Sequence, residues 1–308
     1  MLSRRSLLTN LVVLGAGVGA AWLLRERVLW SAPQPSFASG GSTGWLRFAS
    51  PRAGVPTVAA ELAGRRINAL IDSGAQYSAI DRAFSAELGL NETFAPLVAV
   101  GISGQPQLGR GVSADVAIGG LTLNGLKAVV LDLGPITGPR GLSAPLVLGQ
   151  DVLRELIADI DYPRRGVLLA SAEAHGLPPT ARPVAARAEG RALAVEVTVG
   201  ATVLEVVVDT GASVVLALTR ELAEELGLLA GQTHRMTSSI VLGGAVSSRV
   251  VTAPAVTFAG RTWRNASVMI VDGPRPPGFP KGLLGSGALE PYRAILDIGG
   301  ATLHLAPS

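Results

Sequence analysis

The chain has no cysteine, which excludes disulfides, thiol nucleophiles and cysteine-ligated metals. Histidine is almost as scarce. His175, His234 and His304 lie far apart without ligand-like spacing, so each reads as a surface or strand-edge residue and neither metal nor cofactor is expected. Lysine is confined to Lys127 and Lys281, and the arginines are scattered along the chain in runs no longer than two. With a net charge of only +3, that pattern is a solvated surface and not a nucleic-acid footprint. Aromatic residues make up 4% and charged residues 16%, against 48% apolar. Such a chain of 308 residues can bury a sizeable core, as one large domain or two smaller ones. Its 38 glycines and 20 prolines favour many strands and turns over long helices.

Residues 1–30 stand apart. Arg4 and Arg5 precede an apolar run from Leu7 to Leu24, the layout of an export signal, and Ser-Arg-Arg-Ser-Leu-Leu resembles a twin-arginine signal. Arg25, Glu26 and Arg27 follow where a small-x-small cleavage site would sit. A removed signal and an uncleaved anchor touching the membrane therefore both stand as readings. Either one puts the rest of the chain outside the cytoplasm, because leading arginines favour an inside N-terminus. Residues 31–44, SAPQPSFASGGSTG, read as a flexible linker.

The remainder repeats itself. Gly64 falls on Gly200, Asp72 on Asp209, and DRAFSAELGL (81–90) on TRELAEELGL (219–228). Residues 98–132 align without a gap on 238–272, VLGQDVL (147–153) falls on LLGSGAL (283–289), and Asp161 on Asp297. Two copies of one fold with small loop insertions give such drifting offsets, and the unit is far too long for a solenoid. The boundaries are a first lobe over 45–170, an inter-lobe linker over 171–190 rich in Pro, Ala and Arg, and a second lobe over 191–308. Each copy reads mostly as strands, with a short helix capped by Asp81 or Thr219 and closed at Gly89 or Gly227. A second short helix is expected after Gly149 and after Gly285.

Each copy ends a short aliphatic strand in an acidic tripeptide, Leu70-Ile71-Asp72-Ser73-Gly74 and Val207-Val208-Asp209-Thr210-Gly211. One such tripeptide alone is a turn, in which Gly supplies the conformational freedom. Two, at equivalent places behind buried strands, make sense if the carboxylates meet. Like charges brought together cannot both ionise cheaply, so the pair shares one proton near neutral pH. Such a pair can take a proton from water and give one to the carbonyl that the water attacks. Asp132, Asp272, Asp161 and Asp297 also repeat, and read as solvated turn residues at strand ends.

Together with Val147-Leu148-Gly149 and Leu283-Leu284-Gly285, these motifs resemble the two halves of an aspartic peptidase. The likeness is to the bacterial retropepsin-like aspartyl proteases of the pepsin/retropepsin superfamily, and ADIDYPRRGVLL (158–169) resembles the strand pair that closes their domain. The resemblance covers roughly residues 45–308. It implies a mainly β, bilobal acid-protease fold of two homologous barrel-like lobes with short helices. It also implies an aspartic endopeptidase that acts on protein or peptide substrates as a self-sufficient monomer; residues 1–30 add the expectation that it works in the cell envelope, periplasmic or anchored to the inner membrane facing the periplasm. Asp72 and Asp209 would then be the catalytic dyad. Ser73 and Thr210 would bond across the lobes, and Gly74 and Gly211 would let the backbone approach the carboxylates. A substrate-covering flap is aligned with Gly101, Ile102, Ser103 and Gly104, and with Gly243 and Gly244. Ala75 and Ala212 stand where pepsin-like sites carry a hydroxyl, which points to activity nearer neutral than strongly acid pH. The rival reading is a catalytically silent bilobal protein that binds peptides or an envelope partner. Its mark would be loss of one Asp, and both are present.

Overall fold

The computed structural model describes residues 12–13, 31–92, 96–100, 106–138, 141–230, 234–241, 244–272 and 279–307. The expectations for residues 1–30 fall, apart from Val12 and Val13, outside the described residues. No helix among the described residues is long and apolar enough to cross a membrane.

The first lobe opens with β1 (Gln34–Phe37) and β2 (Leu46–Arg47), followed by the hairpin β3 (Thr57–Leu62) and β4 (Arg65–Ile71). Then come β5 (Ala79–Asp81), α1 (Arg82–Glu87), β6 (Pro96–Val100), β7 (Pro106–Ile118) and β8 (Leu121–Leu131). A 3₁₀ turn at Gly134–Ile136 leads to β9 (Leu146–Leu148) and α2 (Gln150–Leu153), and β10 (Ile157–Asp161) and β11 (Gly166–Ala170) close the copy. Strand β8 pairs with both β5 and β7, so the order β8-β5-β9-β4-β3-β7 returns on itself as a six-stranded barrel.

Two short strands, β12 (Arg182–Val184) and β13 (Ala186–Glu189), lie within the stretch read as the inter-lobe linker. The second lobe repeats the first with β14 (Ala192–Val199), β15 (Thr202–Asp209), β16 (Leu216–Thr219), α3 (Arg220–Glu225) and β17 (Arg235–Val241). It continues with β18 (Gly244–Phe258), β19 (Arg261–Val271), β20 (Gly282–Gly285), α4 (Ser286–Leu289), β21 (Tyr292–Asp297) and β22 (Thr302–Pro307). Strand β18 pairs with β19 and again with β14, closing a second six-stranded barrel. A third sheet, ordered β12-β22-β21-β10-β11-β2, draws strands from both copies and holds the lobes together. The mainly β, two-lobed architecture implied by the resemblance is the one present.

Local signals act as the sequence suggests. Asp81 accepts from the backbone N–H groups of Ala83 and Phe84 at the start of α1, and Thr219 accepts from Leu222 at the start of α3. Gly89 and Gly227 follow these helices with φ of 63° and 68°, the left-handed region that ends a helix. Helices α2 and α4 start directly after Gly149 and Gly285. Part of the 31–44 stretch is tied to the first lobe. Strand β1 pairs with the edge of β8, and the Thr43 N–H donates to Leu169 O at 2.9 Å. The open edges of β8 and β11 offer backbone partners that outweigh the loop-like composition.

The core decides where the acidic loops go. Strand β4 is exposed at Arg65 and Arg66 and fully buried at Ala69, Leu70 and Ile71, so its last step carries Asp72 into the interior. Strand β15 does the same, ending in buried Val206, Val207 and Val208 before Asp209. Alternation sends Ile71 and Val208 into a core shared by both lobes. Leu70 and Val207 face smaller clusters behind each loop, with Ala75 and Val147 in one and Ala212 and Leu283 in the other. Each fully buried aliphatic contributes about 1.5–3 kcal/mol, which is what holds two acidic loops in dry surroundings.

Candidate active site

The two acidic loops meet at the lobe boundary. Asp72, Ser73 and Asp209 are completely buried and Thr210 nearly so. Within each loop the carboxylate is fixed by its own backbone. Asp72 Oδ1 accepts the N–H of Gly74 at 2.9 Å and of Ala75 at 3.1 Å. Asp209 Oδ1 accepts from Gly211 and Ala212 at the same two distances. The hydroxyls then cross over. Ser73 Oγ donates to Val208 O at 2.7 Å and accepts the Thr210 N–H at 3.0 Å. Thr210 Oγ1 donates to Ile71 O at 2.7 Å and accepts the Ser73 N–H at 3.0 Å. Four reciprocal bonds in a buried setting leave the loops no freedom to slide past each other.

The glycines are required by close approach. A Cβ on Gly74 would lie 2.5 Å from Cγ of Asp209, and one on Gly211 would lie 2.6 Å from Cγ of Asp72. Each glycine thus makes room for the opposite carboxyl group while donating its N–H to the carboxylate of its own loop. Behind the loops, β9 runs parallel to β4 and β20 parallel to β15, Val147 facing Leu70 and Leu283 facing Val207. Gly149 and Gly285 turn the chain there. A Cβ on the first would come within 2.7 Å of the Tyr77 backbone, and one on the second within 2.2 Å of Val214 O. That contact explains why each aliphatic pair ends in glycine.

Electrostatics follow from this packing. The pKa of Asp209 is raised well above the ordinary carboxylate value, first by burial and then by the charge of Asp72 and the bond between the two carboxyl groups. The N–H groups of Gly211 and Ala212 oppose the rise without cancelling it. Asp209 Oδ2 is buried and meets no donor from another residue among those described, so a proton held between the two carboxyls is what satisfies it. A pair of this kind, one member protonated and one ionised, can act at once as acid and base.

The flap residues Gly101, Ile102, Ser103, Gly104 and Gly243 lie outside the described residues, while Gly244 opens β18. The stems on either side form antiparallel hairpins in both lobes, Val100 opposite Pro106 and Val241 opposite Gly244. The second hairpin runs alongside the 3₁₀ turn Gly134–Ile136 of the first lobe.

Several polar residues near the site escaped the sequence reading. Gln150 Nε2 donates to Ser73 O at 2.8 Å, and Ser286 Oγ donates to Thr210 O at 2.7 Å. Their shared place directly after the two aliphatic-Gly motifs was the available signal. Asp151 accepts from both the N–H and the hydroxyl of Ser78, which in turn accepts the Gly149 N–H. Asp161 is buried and not solvated: it caps its turn through Arg164 N and pairs with the Arg164 guanidinium. His175 is no surface residue either. It contacts the fully buried Asp159, which also receives two bonds from Arg293 of the other lobe, at 2.8 and 2.6 Å. No cluster of three metal-ligating side chains occurs among the described residues.

A family model described as aspartyl protease matches the chain twice, over residues 58–152 and 195–288. The segments run from β3 into α2 and from β14 into α4, so each contains one acidic loop and one aliphatic-Gly motif. Among solved structures, the chain is similar to basic 7S globulin from soybean, with 9% identity, a TM-score of 0.49 and coverage of 86% of this chain and 94% of that one. It is also similar to a retropepsin-like aspartic protease from Rickettsia conorii, with 24% identity, a TM-score of 0.32 and coverage of 41% and 89%. No curated protein matches it.

Proposed function

This chain belongs to the aspartyl protease family, and we propose that it is a competent aspartic endopeptidase with both half-sites in one polypeptide. The observation that carries the reading is the buried Asp72–Asp209 pair, each carboxyl held by two N–H groups and the two loops locked by Ser73 and Thr210. A domain that used its cleft only for binding would have no need to bury two carboxyl groups against each other, an arrangement that costs several kcal/mol when both are charged.

The reaction follows from the protonation states. The pair holds one proton; written with it on Asp209, whose pKa is raised, Asp72 is the ionised base. Water held between them gives a proton to Asp72 as its oxygen bonds to the peptide carbonyl carbon, while Asp209 protonates the carbonyl oxygen. The resulting gem-diol collapses when its hydroxyl proton returns to Asp209 and the proton on Asp72 passes to the amide nitrogen. The C–N bond then breaks into a carboxylic acid and an amine. No covalent intermediate is required.

The basic start and apolar run of residues 1–30 support an exported enzyme, periplasmic or held at the inner membrane, that cuts extended peptide segments as a monomer. The test is hydrolysis of a peptide library by the exported form, beside Asp72→Asn and Asp209→Asn. Each substitution should lower kcat by about 10³-fold or more. Full activity in either single variant would remove the shared-dyad mechanism, and an inactive wild type that still binds peptides would favour the silent binding protein.

A further inference from the structure

The two acidic loops are locked by the same bond made in different ways. In the first lobe Gln150 reaches the carbonyl of Ser73 unaided. In the second the equivalent residue is Ser286, whose short side chain bonds to the carbonyl of Thr210. A serine hydroxyl can point its one proton in several directions, so by itself it is a weaker lock than an amide held in a helix. The difference is made up from the other lobe. Tyr162, in the turn between β10 and β11, brings its Oη to 2.9 Å from Ser286 Oγ. Ser286 has already committed its proton to Thr210 O, so the phenol must be the donor in this contact. The bond occupies a lone pair on Ser286 Oγ and leaves its proton one direction to point.

The repeat exposes the exchange. Ile298 stands in the second copy where Tyr162 stands in the first, one residue after the aligned pair Asp161 and Asp297. It is fully buried, and the following Gly299 packs against the backbone of Arg154, which caps α2. One half therefore combines a long polar side chain on the helix with an apolar residue in the turn. The other combines a short hydroxyl on the helix with a phenol in the turn. Tyr162 is itself held by edge-on packing against Phe48, with ring centroids 6.2 Å apart and planes at 84°. Burial raises its pKa, so the phenol stays protonated and remains a donor.

We propose that Tyr162 is a positioning residue for the second half-site: it acts through Ser286 on the Thr210 carbonyl and makes the Asp209 loop dependent on the docking of the first lobe. Gln150 does the same for the Asp72 loop without help from across the boundary. The inference rests on the catalytic reading for its kinetic consequence, but its structural claim does not require activity.

The experiment uses Tyr162→Phe, which removes one oxygen and keeps the ring packing, with Ser286→Ala and Gln150→Ala beside it. Amide hydrogen exchange by NMR should show faster exchange at Thr210, Gly211 and Ala212 in Tyr162→Phe and Ser286→Ala, with Ser73, Gly74 and Ala75 close to wild type. Gln150→Ala should show the reverse pattern. In the kinetics, Tyr162→Phe should lower kcat about 10-fold at nearly unchanged KM, the mark of lost transition-state positioning. Equal acceleration of exchange in both loops, or in neither, overturns the proposal, as does a loss carried by KM alone. If the wild type hydrolyses no peptide, the exchange pattern alone decides the positioning role, and it is the catalytic reading that has failed.

Discussion

Ser73 and Thr210 accept each other's backbone N–H at 3.0 Å while their hydroxyls donate to the strands that deliver the opposite loop. Both residues are buried, and together they fix where the carboxylates lie. Ser73→Ala leaves the Thr210 N–H and the Val208 carbonyl buried without partners. Orphaned groups of this kind cost about 1–3 kcal/mol each. Denaturant unfolding should therefore show a loss of roughly 2–4 kcal/mol, with kcat falling more than KM rises. A variant with wild-type stability would mean that the two loops are held by packing alone.

The glycines offer a sharper geometric test. Gly74→Ala forces its new methyl against the Asp209 carboxyl, and Gly211→Ala forces one against Asp72. Displacement of a reacting group by about 1 Å costs on the order of 100-fold in rate. Each variant should lose at least that much kcat. Gly176→Ala, with open space around it, is the control and should retain wild-type rates.

A carboxyl whose folded pKa is raised binds its proton more tightly in the native state than in the unfolded chain. Its contribution to stability is full below the unfolded value near 4 and is lost as pH rises through the folded value. For Asp209 the shift is upward, so the wild type should become less stable as pH rises above the ordinary carboxylate range. Asp209→Asn removes that titration. Thermal melts across pH 4–8 should show the variant gaining on the wild type as pH increases. Parallel curves would mean that Asp209 carries no raised pKa.

The same proton sets the activity profile. The proposed hydrolysis needs the pair to hold a single proton, and the raised pKa of Asp209 extends that state upward in pH. Ala75 and Ala212 bring no side-chain hydroxyl to the carboxylates. We expect a kcat maximum nearer neutral than strongly acid. A maximum below about pH 4 would contradict this account.

Asp159 and Arg293 join the lobes through the shared sheet, with Asp159 fully buried and Arg293 stacked on the Trp45 ring at 4.9 Å. Arg293→Ala leaves the buried Asp159 with His175 as a remaining side-chain partner, so the loss falls short of a fully orphaned buried charge. Chemical unfolding should show a destabilisation of about 1–3 kcal/mol. Loss of the Asp159 charge as well, in Arg293→Ala/Asp159→Asn, should recover part of it. Additive losses in the double variant would show that the two residues do not act as a pair.

Much of this was written in the sequence because the fold uses its motifs twice. Aliphatic runs ending in Asp72 and Asp209, and aliphatic pairs ending in Gly149 and Gly285, are local in the chain. Their repetition alone established two copies, the carboxylate pair and the short helices that follow. The caps at Asp81 and Thr219 were legible for the same reason, since a cap bonds within three residues of itself. Composition misled where backbone edges decided the outcome, as for residues 34–37 and 182–189, which became strands against open neighbours. Composition also misled for Asp161, which is packed into the interior although its partner Arg164 is only three residues on, and for His175, whose partner Asp159 lies on a strand sixteen residues away. Only the tertiary structure decided that Gly74 must leave room for the Asp209 carboxyl, that Tyr162 meets Ser286 of the other lobe, and that Asp159 binds Arg293. Each is a contact between residues more than a hundred positions apart, and such contacts are fixed by how two barrels dock, which depends on the sum of many apolar surfaces and on no single motif.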